Sequence, residues 1–226
     1  MKSRNAKNKI PYILLILVLI LLLSVAASLF MREKSYAAAT ALITLLSFAL
    51  FALGFEKRKT GSRRMVLVAI MTALSVLGRF IPVIKPVPSL TVIAGIFLGP
   101  EAGFLTGSLT AVLSNFFYGQ GPWTPFQMLG WGIIGFASGL LSPMLKKSTV
   151  LRLVFAMLSG VFYSFLMDIW TVLWAYGELN ASSYAAALIS AVPVTITYCI
   201  SNVLFMILLY PYFEKKLGRI MKKYDI

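Results

Sequence analysis

The chain has no histidine, one cysteine and only seven acidic residues among 226. Without histidine, neither a Ser-His-Asp triad nor an H-E-x-x-H zinc site can be built. Cys199 stands alone, which excludes a disulfide or a thiolate metal cluster within one chain. The G-x-x-x-x-G-K-[ST] pattern is missing too, so any energy for transport must come from an ion gradient or from a partner. Asp168 has no second carboxylate at comparable depth, which removes an aspartyl dyad. A membrane enzyme would need a nucleophile and base that these residues do not supply, and neither a metal nor a cofactor is expected.

What is abundant is apolar. Hydrophobic residues make up 59% of the chain and charged residues 12%, a composition of integral membrane proteins. Residues 10–31 run 22 positions without a charge, enough for the roughly 20 needed to cross a hydrocarbon core and longer than a signal-peptide core. Eight spans are expected, at 10–31, 35–55, 64–81, 89–99, 101–117, 125–143, 151–175 and 184–212. The fold class is all-α, a polytopic membrane bundle. Residues 1–63 read as two uniform Leu/Ala/Ile helices with a basic linker, and residues 64–226 as a six-span domain that holds nearly all the Gly and Pro and every Trp.

Charge gives the topology. Of 21 basic residues, 17 fall in four clusters, at 2–9, 57–64, 146–152 and 215–223. With both termini cytoplasmic every cluster lies inside, and only Arg32, Lys34, Arg79 and Lys85 lie outside, as the positive-inside rule asks. The formal charge of +14 therefore reads as membrane orientation rather than as a nucleic-acid surface, and no nucleic-acid partner is expected.

The densest chemistry lies in the stretch Gly119-Gln120-Gly121-Pro122-Trp123-Thr124-Pro125-Phe126-Gln127-Met128. Irregular backbone near membrane depth must be buried in protein or line a wet cavity. Asn115, Tyr118, Gln120, Trp123, Thr124, Gln127 and Trp131 together combine aromatic rings with amides, the usual lining of a small-molecule pocket; an interfacial aromatic belt is the competing account for Tyr118 and Trp123. The connector at 79–88 carries three prolines and should be extended and stiff. Its Arg79 and Lys85 either form the rim of that pocket or snorkel to the interface. Asp168 is a costly intramembrane carboxylate, and reads as a functional group or as a partner for Arg79 or a neighbouring loop. Asn202 reads as an interhelical hydrogen-bonding residue.

Small residues recur at four-residue spacing: Ala69 with Ala73, Gly95 through Gly99, Gly103 and Gly107 to Ala111, and Gly135 with Gly139. Such rows permit close helix approach, either inside the bundle or against a partner. Spans 89–99 and 101–117 are short and meet at Gly99-Pro100-Glu101, the form of a broken helix lining a cavity.

Six core spans, Ala69-x-x-x-Ala73 on the first, a Pro-rich first outer loop and the Gly119–Met128 string together resemble the substrate-binding S component of energy-coupling factor (ECF) vitamin transporters. The resemblance covers about residues 64–215, and the string resembles the branch associated with cobalamin. It implies a plasma-membrane protein that captures a vitamin, a corrinoid in that branch, on the extracellular side. It further implies docking on a transmembrane coupling subunit that is bound to two cytoplasmic ATPases, with Ala69 and Ala73 on the docking face and a toppling motion that carries the pocket inward. The two extra helices before the six-helix core depart from the family pattern. The alternative is a stand-alone secondary transporter with Asp168 coupling proton movement.

Overall fold

The computed structural model describes residues 62–224. The first two expected spans, most of the basic linker that follows them, and the cations Arg32 and Lys34 lie outside the described residues. Among the described residues seven helices form: α1 (Ser62–Arg79), α2 (Val87–Leu98), α3 (Pro100–Tyr118), α4 (Thr124–Leu140), α5 (Ser142–Lys147), α6 (Thr149–Tyr176) and α7 (Ala181–Tyr224). Among the described residues there is no strand.

Local chemistry sets the helix ends. Gly99 adopts φ +93°, a backbone conformation side chains resist, and Pro100 follows at the start of α3, where its missing N–H leaves no bond unmade. The α2–α3 break therefore falls at Gly99-Pro100, as the sequence predicts. Gly177 closes α6 in the left-handed region, with its N–H donating to the Leu173 carbonyl. At the start of α6 the Ser148 side chain accepts a bond from the Leu151 amide at 3.3 Å.

Among the described residues two helices, Thr149–Tyr176 and Ala181–Tyr224, are long and apolar enough to cross a membrane. The 12-residue α2 is about 18 Å long at 1.5 Å per residue, short of a ~30 Å core. All of its residues are buried, so the element read as the span 89–99 is an interior helix sheathed by protein. The last helix also departs from expectation. It continues past 212 to Tyr224, through Pro193 and Pro211, because Tyr210, Phe213 and Leu217 keep one face on the core while Lys215, Lys216 and Arg219 face outward. The short α5 was not anticipated.

Lipid tails are as apolar as leucine, so helices in a bilayer associate through close packing and polar bonds rather than through burial from water. The glycine rows provide that packing here. A Cβ on Gly103 would stand 2.6 Å from the Gly135 carbonyl carbon, one on Gly107 2.8 Å from the Gly132 nitrogen, and one on Gly95 3.0 Å from the Gly139 nitrogen. These rows are internal seams, and no partner need be invoked for them. Ser138 donates to the Val92 carbonyl at 3.1 Å, Ser108 to Met128 at 3.0 Å and Ser89 to Asn202 at 2.9 Å. Asn202 bridges α7 to α6 by donating to the Ala156 carbonyl at 3.2 Å. Each such bond contributes about 0.6 kcal/mol on average.

Ala69 and Ala73 lie elsewhere. Both are exposed on the outward face of α1, beside exposed Val66, Ile70 and Leu77. The two poles of the bundle also differ. Of the twelve Lys and Arg residues between 62 and 224, ten cluster at one pole, where Arg152 sits 3.5 Å over the Tyr210 ring and Arg63 4.7 Å over Tyr224. Arg79 and Lys85 alone occupy the other.

Candidate ligand site at the cation-poor pole

Arg79 ends α1, Lys85 sits in the connector before α2, and Asn115 lies in the last turn of α3. Gln127 and Trp131 are one turn apart near the start of α4, so they share a face. The arrangement closes on a cavity of about 50 Å³ lined by Arg79, Lys85, Gln127, Trp131, Tyr163 and Tyr198, with Val87 and Pro88 completing the wall.

A polar relay holds the wall. The Arg79 guanidinium donates to the Ser114 hydroxyl and, at 2.6 Å, to Asn115 Oδ1. Asn115, with no exposed surface, donates from Nδ2 to Thr124 Oγ1 and to Gln127 Oε1, each at 2.8 Å. Thr124 in turn donates to Gln120 Oε1 at 3.0 Å, and Gln120 Nε2 donates to the Val112 carbonyl at 2.8 Å. The loop after α3 is thereby fastened to the helix it leaves. Lys85 is clasped through its backbone: its amide donates to Ser201 Oγ at 2.8 Å, and Ser201 Oγ donates to the Lys85 carbonyl at 2.8 Å.

Aromatic rings face the cations. Arg79 lies 4.7 Å from the Tyr118 ring and 5.1 Å from Trp131, and the Lys85 ammonium lies 5.5 Å from Tyr118. Tyr118 also donates to the Arg79 carbonyl at 2.9 Å. Trp131 stacks on Tyr163 at 5.2 Å, and Tyr163 meets Tyr198 edge-on at 5.4 Å. The Lys85 ammonium, on the connector, is held below its ordinary range by burial first and by the Arg79 charge second. Both cations therefore gain from a negative charge placed between them.

Of the ten residues singled out from the sequence, Arg79, Lys85, Gln127 and Trp131 line the cavity. Tyr118 touches both cations, while Asn115, Thr124 and Gln120 form the relay behind the wall. Trp123 lies apart: it meets Trp170 edge-on at 6.4 Å, in a separate cluster around Phe126, Leu129 and Leu173. Asp168 is not in the wall either, and Arg79 turns to Ser114 and Asn115 rather than to it. Sequence reasoning passed over Tyr163, Tyr198 and Ser201. The available signal was two tyrosines in the middle of apolar spans, where a buried hydroxyl needs a reason.

This placement separates two substitutions that the sequence alone groups together. Gln127→Ala should weaken ligand binding about tenfold, since a lost buried amide bond costs roughly 0.5–1.5 kcal/mol. Trp123→Ala should change affinity by less than about threefold and instead lower the melting temperature, because it removes a ring from a packed cluster. Titration and thermal melts of both variants in detergent check the pair, and equal losses of affinity would return Trp123 to the site.

Comparison with known proteins gives one family. The model described as ECF transporter, substrate-specific component matches residues 63–223. No curated protein and no solved structure matches the chain.

Proposed function

The chain belongs to the substrate-specific components of ECF transporters, and on that premise we propose that it captures a vitamin at the cation-poor pole and releases it through a coupling subunit driven by ATPase partners. The family places it among membrane transport subunits that bind substrate and are not enzymes. The observation that carries the proposal is the cavity itself: a small, partly open space walled by aromatic rings and donors from α1, the following connector, α4, α6 and α7, supported by an amide relay through Asn115. The pole holding two cations faces outward in this reading, and the pole holding ten faces the cytoplasm. A solute would then be taken from the extracellular side.

The outward face of α1 supports the partner half of the proposal. Ala69 and Ala73 leave a shallow apolar track against which another helix can lie close. Ligand size bears on the corrinoid reading. A cavity of about 50 Å³ is well below the ~300 Å³ at which drug-sized pockets begin, so a corrinoid requires the 79–88 connector and the 118–124 loop to part widely, whereas a one- or two-ring vitamin requires the least movement.

The test has two arms. Mass spectrometry of small molecules retained by the detergent-purified protein identifies the ligand. Ala69→Trp and Ala73→Trp should each abolish pull-down of the coupling subunit and leave ligand retention unchanged, because the bulk is added on an exposed face. Normal assembly by both variants would remove the docking assignment, and uptake that continues without ATPase subunits would favour a secondary transporter.

A further inference from the structure

Every hydrogen-bonding group that the cavity wall leaves open and that has a fixed sign is a donor. Arg79 uses Nη1 on Ser114 and Asn115, while its Nη2 and Nε make no hydrogen bond among the described residues. The Lys85 ammonium has only the Tyr118 ring within reach among them. Trp131 is 4% exposed, and its Nε1–H has no hydrogen-bond partner although it lies in the wall of the cavity. A buried indole N–H left unpaired costs about 1–3 kcal/mol, so its position beside two cations is a demand for an acceptor. No carboxylate lines the cavity. The one acceptor available there from an amide, Gln127 Oε1, is already taken by Asn115.

Shape adds a second constraint. Trp131 and Tyr163 stack with their planes 17° apart, and Tyr198 meets Tyr163 edge-on, so aromatic surface makes up much of the wall. A flat ring fits such a wall; a branched aliphatic solute does not use it. Together with the small volume, this favours an occupant of one or two rings.

We propose that the ligand is a small planar aromatic carboxylate, its carboxylate held by Arg79 and Lys85, an acceptor atom on the Trp131 Nε1–H, and its ring against Trp131 and Tyr163. This rests on the reading of the chain as a substrate-binding component and names the class of substrate. A guanidinium forks onto a carboxylate in a way an ammonium does not, which makes Arg79 the specifying contact and Lys85 the supporting charge. The anion also relieves the repulsion between two partly buried cations, so binding and local electrostatics favour the same state.

The experiment compares pyridine-3-carboxylate with pyridine-3-carboxamide, which differ by one charge, and with cyanocobalamin as a large neutral corrinoid. Each is titrated into the purified full chain in detergent. The carboxylate should bind at least tenfold more tightly than the carboxamide. In Arg79→Gln that preference should shrink to under threefold, and Arg79→Lys should restore part of it. Trp131→Phe, which keeps an aromatic, if smaller, ring and removes the N–H, should weaken the carboxylate about tenfold. Equal binding of carboxylate and carboxamide by the unaltered chain overturns the proposal, and that measurement does not depend on any variant folding. Binding of cyanocobalamin with no response to either pyridine also overturns it while leaving the transporter reading intact. Failure to bind any of the three, with nothing retained on purification, overturns both.

Discussion

Gly103→Leu is expected to leave no monodisperse protein in detergent, whereas Gly218→Ala, where a Cβ meets open space, should purify and melt like the parent chain. At Gly103 the obstacle is backbone. The Gly135 carbonyl carbon stands 2.6 Å from the Cβ position, and the Gly95 Cα stands 2.7 Å from it. A side-chain neighbour can change rotamer, but a helix backbone can only move away. Overpacking costs about 1–3 kcal/mol when side chains absorb it and more when they cannot. Here the α3–α4 seam must part, and the bonds from Ser108 to Met128 and from Ser138 to Val92 depend on the helices of that region staying in register. Size-exclusion chromatography and a thermal melt read the outcome. A sharp peak and an unchanged melting point for Gly103→Leu would show that the seam has slack the geometry does not reveal.

Asn115→Leu should lower ligand affinity by about two orders of magnitude in a chain that still folds. Leucine keeps the branched, four-heavy-atom outline of the asparagine side chain, though its methyl groups are bulkier, so the fold is expected to survive and the polar relay is not. One oxygen and one nitrogen of Asn115 set the positions of Arg79, Thr124 and Gln127 together. Bonds to charged groups are worth roughly 1.5–3 kcal/mol and neutral ones about 1, so losing the Arg79 and Gln127 contacts predicts a loss near 3 kcal/mol, or about a hundredfold. The amount of small molecule retained per mole of purified protein reports it. Full retention by a folded Asn115→Leu chain would mean that Arg79 is placed by Ser114 alone.

The sequence exposes this site unevenly, for physical reasons. Arg79, Lys85, Gln127 and Trp131 stand out because polar groups and prolines are conspicuous against apolar spans, and helical spacing puts the last two on one face. The break at Gly99-Pro100 is visible for the same reason. Tyr163 and Tyr198 are hidden because helix periodicity describes a face and does not say which neighbour it meets. That α6 and α7 close the cavity is a long-range fact. Trp123 was grouped with the pocket by proximity along the chain, yet the turn at Gly121 directs it to Trp170. The far end of α7 is not legible because the apolar run gives way to charge soon after 212; Pro211 removes one backbone bond, and Phe213 and Leu217, buried beyond it, keep the helix on the core.

The clasp between Ser201 and the Lys85 backbone has a consequence in time rather than in affinity. If a solute passes the 79–88 connector, both 2.8 Å bonds must open first and close again behind it. At roughly 1 kcal/mol each, they slow admission about thirtyfold relative to an unfastened loop. The same two bonds must break for the solute to leave by that route. Arrival and departure slow by the same factor, the dissociation constant is unchanged, and the occupied state lasts longer, which gives a partner in the membrane more time to find it loaded.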